Sequence, residues 1–344
     1  MRDEPLPNTD PLDKHPLIRA PELAGGIWLD ETPRSLHDLL ARGPLLLDFW
    51  DFSCVNCVRT LPYLAAWYER YHPLGLNVVG VHTPEFAFGR DPEVVRRAAD
   101  DLDIPYPVLL DPDRTLWYAY AVKAWPTLFL IDRAGRIRYT HVGEGGYTTT
   151  ERAIQALLRE DQPTLALPEP LAPLRPGDRE GAVCYPTTPE LYAGWAHGRL
   201  GHADDWQRDQ VHHFTDPLAH EEGVLYFQGA WRPTVEYAEF VGEEGHVRVC
   251  YRAAELNAVM ASLTGEPIRV FILQNGEPLH FADAGEDVIV DADYGSYVLV
   301  REPRMYNLVN NPDYGVFEVR LVPARRGLAL YAFSFVPCTR PTEG

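Results

Sequence analysis

Apolar and polar positions along this chain follow one rhythm up to about residue 160 and another after about residue 190. In the first stretch, short apolar runs alternate with segments of helical period. LLLDFW (45–50), LNVVGVH (76–82) and PTLFLID (126–132) read as buried strands, and RIRYTHV (136–142) as a fourth strand. VNCVRTLPYLAAWYERY (55–71) and DPEVVRRAADDLDI (91–104) carry helical period, and a further helix is expected over about 148–159. Asp91 caps the second of these helices, Pro92 suits its first turn, and Glu93 faces the positive end of its dipole. Strands separated by helices of this size predict an α/β sandwich with a parallel component. Asp132-Arg-Ala-Gly135 is too short to cross over, so the strands on either side of it must pair antiparallel and the sheet must be mixed.

From about residue 190 the pattern shortens to alternating runs: 224–231, 246–253, 268–273, 286–292, 296–300, 315–322 and 327–336. Turn signals lie between them at Gly242, Asn275-Gly276, Gly295, Asn311-Pro312 and Arg326-Gly327. That spacing predicts an all-β, jelly-roll-like sandwich. Seven prolines between 161 and 189 make the intervening stretch a stiff linker or an extended strap lying on a domain surface. The expected division is therefore an N-terminal extension (1–21), an α/β domain (22–160), a proline-rich linker (161–189) and a β-sandwich (190–340).

Length and charge narrow the function. The chain has 344 residues, a length that suits two domains. Its net charge of −19 argues against nucleic acid and anionic lipid as partners. The excess is greater in the second half, where residues 161–344 carry 14 basic and 27 acidic residues against 17 and 23 in residues 1–160. No apolar run reaches a membrane span, and the acidic start lacks the features of a secretory signal, so a cytoplasmic location is expected. No G-x-G-x-x-G follows a strand, so no organic cofactor is implied.

Five cysteines form no disulfide framework, but Cys54 and Cys57 are spaced C-x-x-C between a buried strand and a helix. A helix N-terminus offers unpaired N–H groups and partial positive charge, which stabilise a thiolate. Cys54 is therefore expected to be the exposed attacking thiolate, with a lowered pKa, and Cys57 the buried resolving thiol one turn later. A zinc site here would need two more ligands, and neither a second C-x-x-C nor paired histidines supply them; no metal is expected.

Asp48-Phe-Trp-Asp-Phe-Ser-Cys54-Val-Asn-Cys57 resembles the active-site segment of the thioredoxin family. Asp48 stands six positions before the first cysteine, Pro62 five after the second, and Trp125-Pro126-Thr127 resembles the family's cis-proline loop. The phrases Gly80–Phe88 and His141–Tyr147, Gly229-Ala-Trp231, and Arg304-Met-Tyr306-Asn-Leu308 narrow the resemblance to DipZ-type proteins. These are redoxin/TlpA-related thioredoxin domains followed by a sandwich similar to carbohydrate-binding modules.

The resemblance implies an α/β thioredoxin fold and thiol–disulfide exchange with a disulfide-bearing protein. Asp48 would act as a buried proton relay, Trp50 would pack beside the site, and Pro126 would receive substrate backbone. Phe52 and Trp125 are candidates for an apolar substrate rim, and Glu85 for tuning a cysteine from the loop after the second strand. DipZ-type proteins usually carry a membrane electron-transfer domain, and these residues include none. The electrons must then come from a thioredoxin reductase-like enzyme, a thiol pool or a separate membrane donor.

Two other readings stay open. Redoxin relatives include thiol peroxidases, although the peroxidatic P-x-x-x-T-x-x-C signature is missing here. The sandwich could bind sugar on Trp195, Trp206, Trp231, Tyr294, Tyr297 or Tyr306, or mediate a homodimer. The five histidines between 197 and 220 read as a solvated loop, and the acids at 283, 287, 291 and 293 fall short of a calcium loop.

Overall fold

The computed structural model describes residues 12, 18–179, 182, 185–202, 207–217 and 219–337. Most of the expected N-terminal extension lies outside these residues, as do Cys184, Trp206 and Cys338. The chain forms two compact units, Met1–Leu174 and Arg175–Gly344. The boundary thus falls inside the proline-rich stretch rather than at either end of it.

The first unit runs β1 (Ile27–Trp28), α1 (Leu36–Arg42), β2 (Leu45–Trp50), α2 (Val55–Tyr71), β3 (Asn77–His82), α3 (Pro92–Asp101), β4 (Val108–Leu110), α4 (Thr115–Ala119), β5 (Thr127–Ile131), β6 (Ile137–Val142) and α5 (Tyr147–Asp161). Its six strands lie in the order β1-β4-β3-β2-β5-β6. β2, β3 and β4 are parallel, while β5 and β6 join antiparallel, as the short Asp132–Gly135 turn requires. This mixed sheet with helices is the thioredoxin fold.

β2 is buried on both faces, which explains its near-continuous apolar run. Its alternation divides the core. Leu45, Leu47 and Phe49 join one apolar cluster with α1 and α4, while Leu46 and Trp50 join the other with α2 and α5. Asp48 has the same parity as Leu46 and Trp50, so it points into the layer beneath α2.

Residues 162–174 form a strap rather than a free linker. Leu165, Leu167 and Leu171 pack against the α2–α5 core. The Leu174 N–H donates to Tyr63 Oη, and Gln155 Nε2 donates to the Pro168 carbonyl. Glu151, 1% exposed on α5, anchors the arrangement by accepting from Arg70, from Tyr71 Oη at 2.6 Å and from the Leu171 N–H at 2.8 Å. Glu151→Ala would strand the buried Tyr71 hydroxyl and take an acceptor from the partly buried Arg70 and Leu171 N–H. The expected cost is about 3 kcal/mol in urea unfolding, with proteolysis appearing in 162–174. Unchanged stability would show that the strap is held by its leucines alone.

The second unit contains β7 (Leu191–Tyr192), β8 (His212–Phe214), β9 (Leu225–Pro233), β10 (Ala238–Ser262), β11 (Ile268–Gln274), β12 (Glu277–Pro278), β13 (Ile289–Asp291), β14 (Gly295–Val300), β15 (Arg304–Pro323) and β16 (Leu328–Val336). It is all-β, as expected, but its ten strands form one hydrogen-bonded sheet around one core. Two predicted turns lie inside strands. Gly242 falls within β10, where the register against β9 slips between Phe240 and Gly245. Asn311-Pro312 falls within β15, where the register against β10 slips between Ala253 and Glu255. The irregularity absorbs a proline that cannot donate to the ladder. Asn275-Gly276 does turn the chain, with φ of 52° at Asn275 and 90° at Gly276. It joins β11 to β12 as a tight hairpin.

Candidate functional site

β2 ends at Trp50, and a three-residue turn delivers Cys54 to the N-cap of α2. Cys54 is partly exposed, Cys57 is 1% exposed, and both are free thiols. The Cys57 N–H donates to Cys54 Sγ at 3.4 Å, so the helix N-terminus is aimed at that sulfur.

Asp51 shapes this turn, a role the sequence reading missed. Fully buried, it accepts from the Ser53 N–H at 2.6 Å, from Ser53 Oγ, and from the Glu85 N–H at 2.9 Å. One carboxylate thereby ties the cysteine turn to the loop after β3. The Asp-x-Ser spacing of an Asx turn was the signal available for it. His82, also fully buried, places Nε2 3.6 Å from Asp51 Oδ2. Burial pushes its pKa down, with Asp51 opposing, so the ring is neutral.

Asp48 lies beneath Cys57 with neither carboxylate oxygen hydrogen-bonded. Burial pushes its pKa up to about 8. Trp50 is fully buried, edge-on to His82 at 5.0 Å between ring centroids. Gly80 on β3 makes room for it, since a Cβ there would meet Trp50 Nε1 at 2.8 Å and Tyr106 at 3.2 Å. Tyr106, not foreseen, carries a buried, unpartnered hydroxyl, and its pKa is raised by burial first and then by Asp48 and Cys57.

The Trp125–Pro126 bond is cis, and Pro126 is buried just before β5. Trp125 is half-buried. Its Nε1 donates to the Thr83 carbonyl, and the Arg114 guanidinium lies 5.2 Å from its ring centroid. Phe52 does not form a rim. It is 4% exposed, stacked on His82 at 5.4 Å, and belongs to the core.

The expected low pKa of Cys54 is also corrected. Its hydrogen bonds from the Cys57 thiol and N–H pull the pKa down. Burial and the negative charges of Glu85 and Asp51 outweigh them, and the net direction is up. Cys57 is pushed well up by burial, then by Cys54 and Asp48. The helix N-terminus is in place, but acids and low polarity around it oppose the thiolate.

In the second unit, most of the aromatic candidates fill space. Trp231 and Tyr306 are core residues and Tyr297 is 9% exposed, whereas Tyr294 is exposed with Arg269 over its ring. Trp195 carries Arg208 at 4.5 Å. The acids expected to fall short of a calcium loop have local tasks: Asp287 pairs with Arg304, and Asp291 caps the 293–294 turn.

Residues 15–140 match the AhpC/TSA family, and residues 188–335 match the thioredoxin-like C-terminal domain. Thiol-disulfide oxidoreductase YkuV of Bacillus subtilis is 31% identical over 144 residues, covering 41% of this chain and 95% of YkuV. Protein DipZ of Mycobacterium bovis is 34% identical over 266 residues, covering 75% of this chain. The chain belongs to the thioredoxin-like proteins of the DipZ type, within the thiol-disulfide oxidoreductases. It spans 37% of the length of that DipZ protein. A thioredoxin-like protein solved in solution in its oxidized form is 29% identical, with a TM-score of 0.38, covering 41% of this chain and 95% of its own. Among the described residues no helix is long and apolar enough to cross a membrane.

Proposed function

We propose that this chain reduces protein disulfides by dithiol exchange. The observation that carries this reading is the asymmetric pair at the head of α2: a partly exposed Cys54 receiving the Cys57 N–H, with Cys57 buried behind it. Cys54 thiolate attacks one sulfur of a substrate disulfide, whose other sulfur leaves as a thiol. Cys57 then attacks Cys54, the reduced substrate departs, and a Cys54–Cys57 disulfide remains. Asp48 takes the Cys57 proton during this second step. Glu85 holds the resting Cys54 mostly as a thiol, while Trp125 and Pro126 meet the substrate. Trp50 packs beneath the turn. A dithiol reductant, either a reductase or a thiol pool, restores the pair, and a reducing compartment such as the cytoplasm suits this direction.

The match to the AhpC/TSA family favours a second reading, peroxide reduction at Cys54. Against it, the residues before Cys54, Asp-Phe-Trp-Asp-Phe-Ser, lack the peroxidatic P-x-x-x-T-x-x-C signature. Redox titration in glutathione buffers, with alkylation and mass readout, tests both. The expected result is reversible, two-electron oxidation of Cys54–Cys57 together with catalysed reduction of an insulin-type disulfide. Rapid hydrogen peroxide consumption with sulfenic acid at Cys54, and no disulfide reduction, would establish the rival instead.

A further inference from the structure

The second unit carries a cluster of side chains that dithiol exchange does not use. Cys250 on β10 and Glu318 on β15 are direct cross-strand partners, so antiparallel pairing sets both on one face. The segment before β9 lies over them, with the Gly223 N–H donating to the Cys250 carbonyl at 2.9 Å. It brings in His220, whose side chain is 9% exposed rather than part of a solvated loop. His220 Nδ1 lies 3.0 Å from Glu318 Oε2, and Cys250 Sγ lies 3.6 Å from the same oxygen. The three donor atoms all fall within 4.8 Å of one another.

Ligands about 2.0–2.3 Å from a tetrahedral zinc ion stand roughly 3.3–3.6 Å apart. The two spacings to Glu318 Oε2, 3.0 and 3.6 Å, already bracket that range, and only the His220–Cys250 spacing, within 4.8 Å, has up to about an ångström to close. Its surroundings already do what outer groups do at metal sites. Asp216 Oδ1 holds His220 Nε2 at 2.8 Å, leaving Nδ1 as the nitrogen turned to the cluster. Arg248 Nη1 holds Glu318 Oε1 at 2.6 Å, leaving Oε2 turned inward. The remaining Asp216 oxygen is occupied by His246 at 2.8 Å and Arg248 at 2.9 Å.

We propose that His220, Cys250 and Glu318 form a site for a thiophilic divalent cation, zinc by donor type, with a fourth position for water. Sulfur, imidazole and carboxylate together disfavour calcium and magnesium, which take oxygen. An ion-pair network of histidine, arginine and two acids would be complete without the thiol. The cysteine turned to the same carboxylate oxygen is what a network of charges leaves unexplained. Burial, then Glu318, pushes the Cys250 pKa up to about 11, so the thiol is protonated without a metal. Zinc binding would release the Cys250 thiol proton, with no change in oxidation state.

The test uses the full chain carrying Cys54→Ser and Cys57→Ser, so that the dithiol cannot compete. Anaerobic titration with cobalt(II) should saturate at one equivalent, giving a near-ultraviolet thiolate-to-cobalt charge-transfer band and visible bands of tetrahedral intensity. Zinc should displace the cobalt and, added instead to the metal-free chain, should release the Cys250 thiol proton. Cys250→Ser in this background should abolish the charge-transfer band, and His220→Ala should weaken zinc binding at least tenfold. Asp216→Asn should retain the band but weaken binding by about 10–100-fold. Circular dichroism confirms that each variant is folded; Glu318→Gln replaces any that is not and should weaken zinc binding as His220→Ala does. Absence of the band, its persistence in Cys250→Ser, or zinc affinity unchanged in His220→Ala overturns the site.

Discussion

Cys54→Ser should lose disulfide reduction by at least about 10^3-fold, because a hydroxyl cannot form the mixed disulfide and Cys57 is buried behind it. Cys57→Ser should retain the first attack and stall after it, holding substrate on Cys54 as a stable adduct detectable by mass. The pH dependence follows from the raised pKa of Cys54. Below that pKa the thiolate fraction rises about tenfold per pH unit, so iodoacetamide alkylation of Cys54 should keep climbing past pH 9. Glu85→Gln removes a neighbouring negative charge, lowers the pKa and moves the whole profile to lower pH. An alkylation rate that levels off near pH 7 in the unaltered chain would mean that the helix N-terminus prevails over burial and the two acids. A Cys54→Ser chain with full activity would remove the dithiol mechanism altogether.

Asp48→Asn should change both stability and the resolving step. A carboxyl whose folded pKa is about 8, against 3.8 in the unfolded chain, stabilises the native state fully only below about pH 4. As pH rises from 4 through 8, unfolding releases a proton and native stability falls, by about 4 kcal/mol at pH 7. Asparagine does not titrate, so urea unfolding of the variant should lose this slope. Relative to the variant, the unaltered chain should weaken steadily between pH 4 and 8. The same substitution removes the proton acceptor beneath Cys57, and release from a pre-formed mixed disulfide should slow by about 10^2-fold at neutral pH. Parallel stability curves would show that Asp48 titrates normally, and an unchanged release rate would show that Cys57 loses its proton elsewhere.

Much of this arrangement could be read along the chain, because it depends on local order. The run LLLDFW specifies β2, its alternation turns Asp48 toward α2, and Cys54 caps the helix that begins at Val55. α1, β1, β4 and α4 were not foreseen. They are short, from 2 residues in β1 to 7 residues in α1. Their stability comes from the layer they cover rather than from a period of their own. β10 and β15 run through glycine and proline signals because pairing on both sides outweighs local turn preference.

Chain order is enough to set the two-part architecture, the position of the dithiol and the acid buried beneath it, since each follows from periodicity or from neighbours within a few positions. The electrostatics and the cross-chain groupings arise only when distant segments pack together. Glu85 lies 31 positions from Cys54, and Glu318 lies 68 from Cys250. What each acid does to its thiol depends on distance through a buried medium, which sequence separation does not encode.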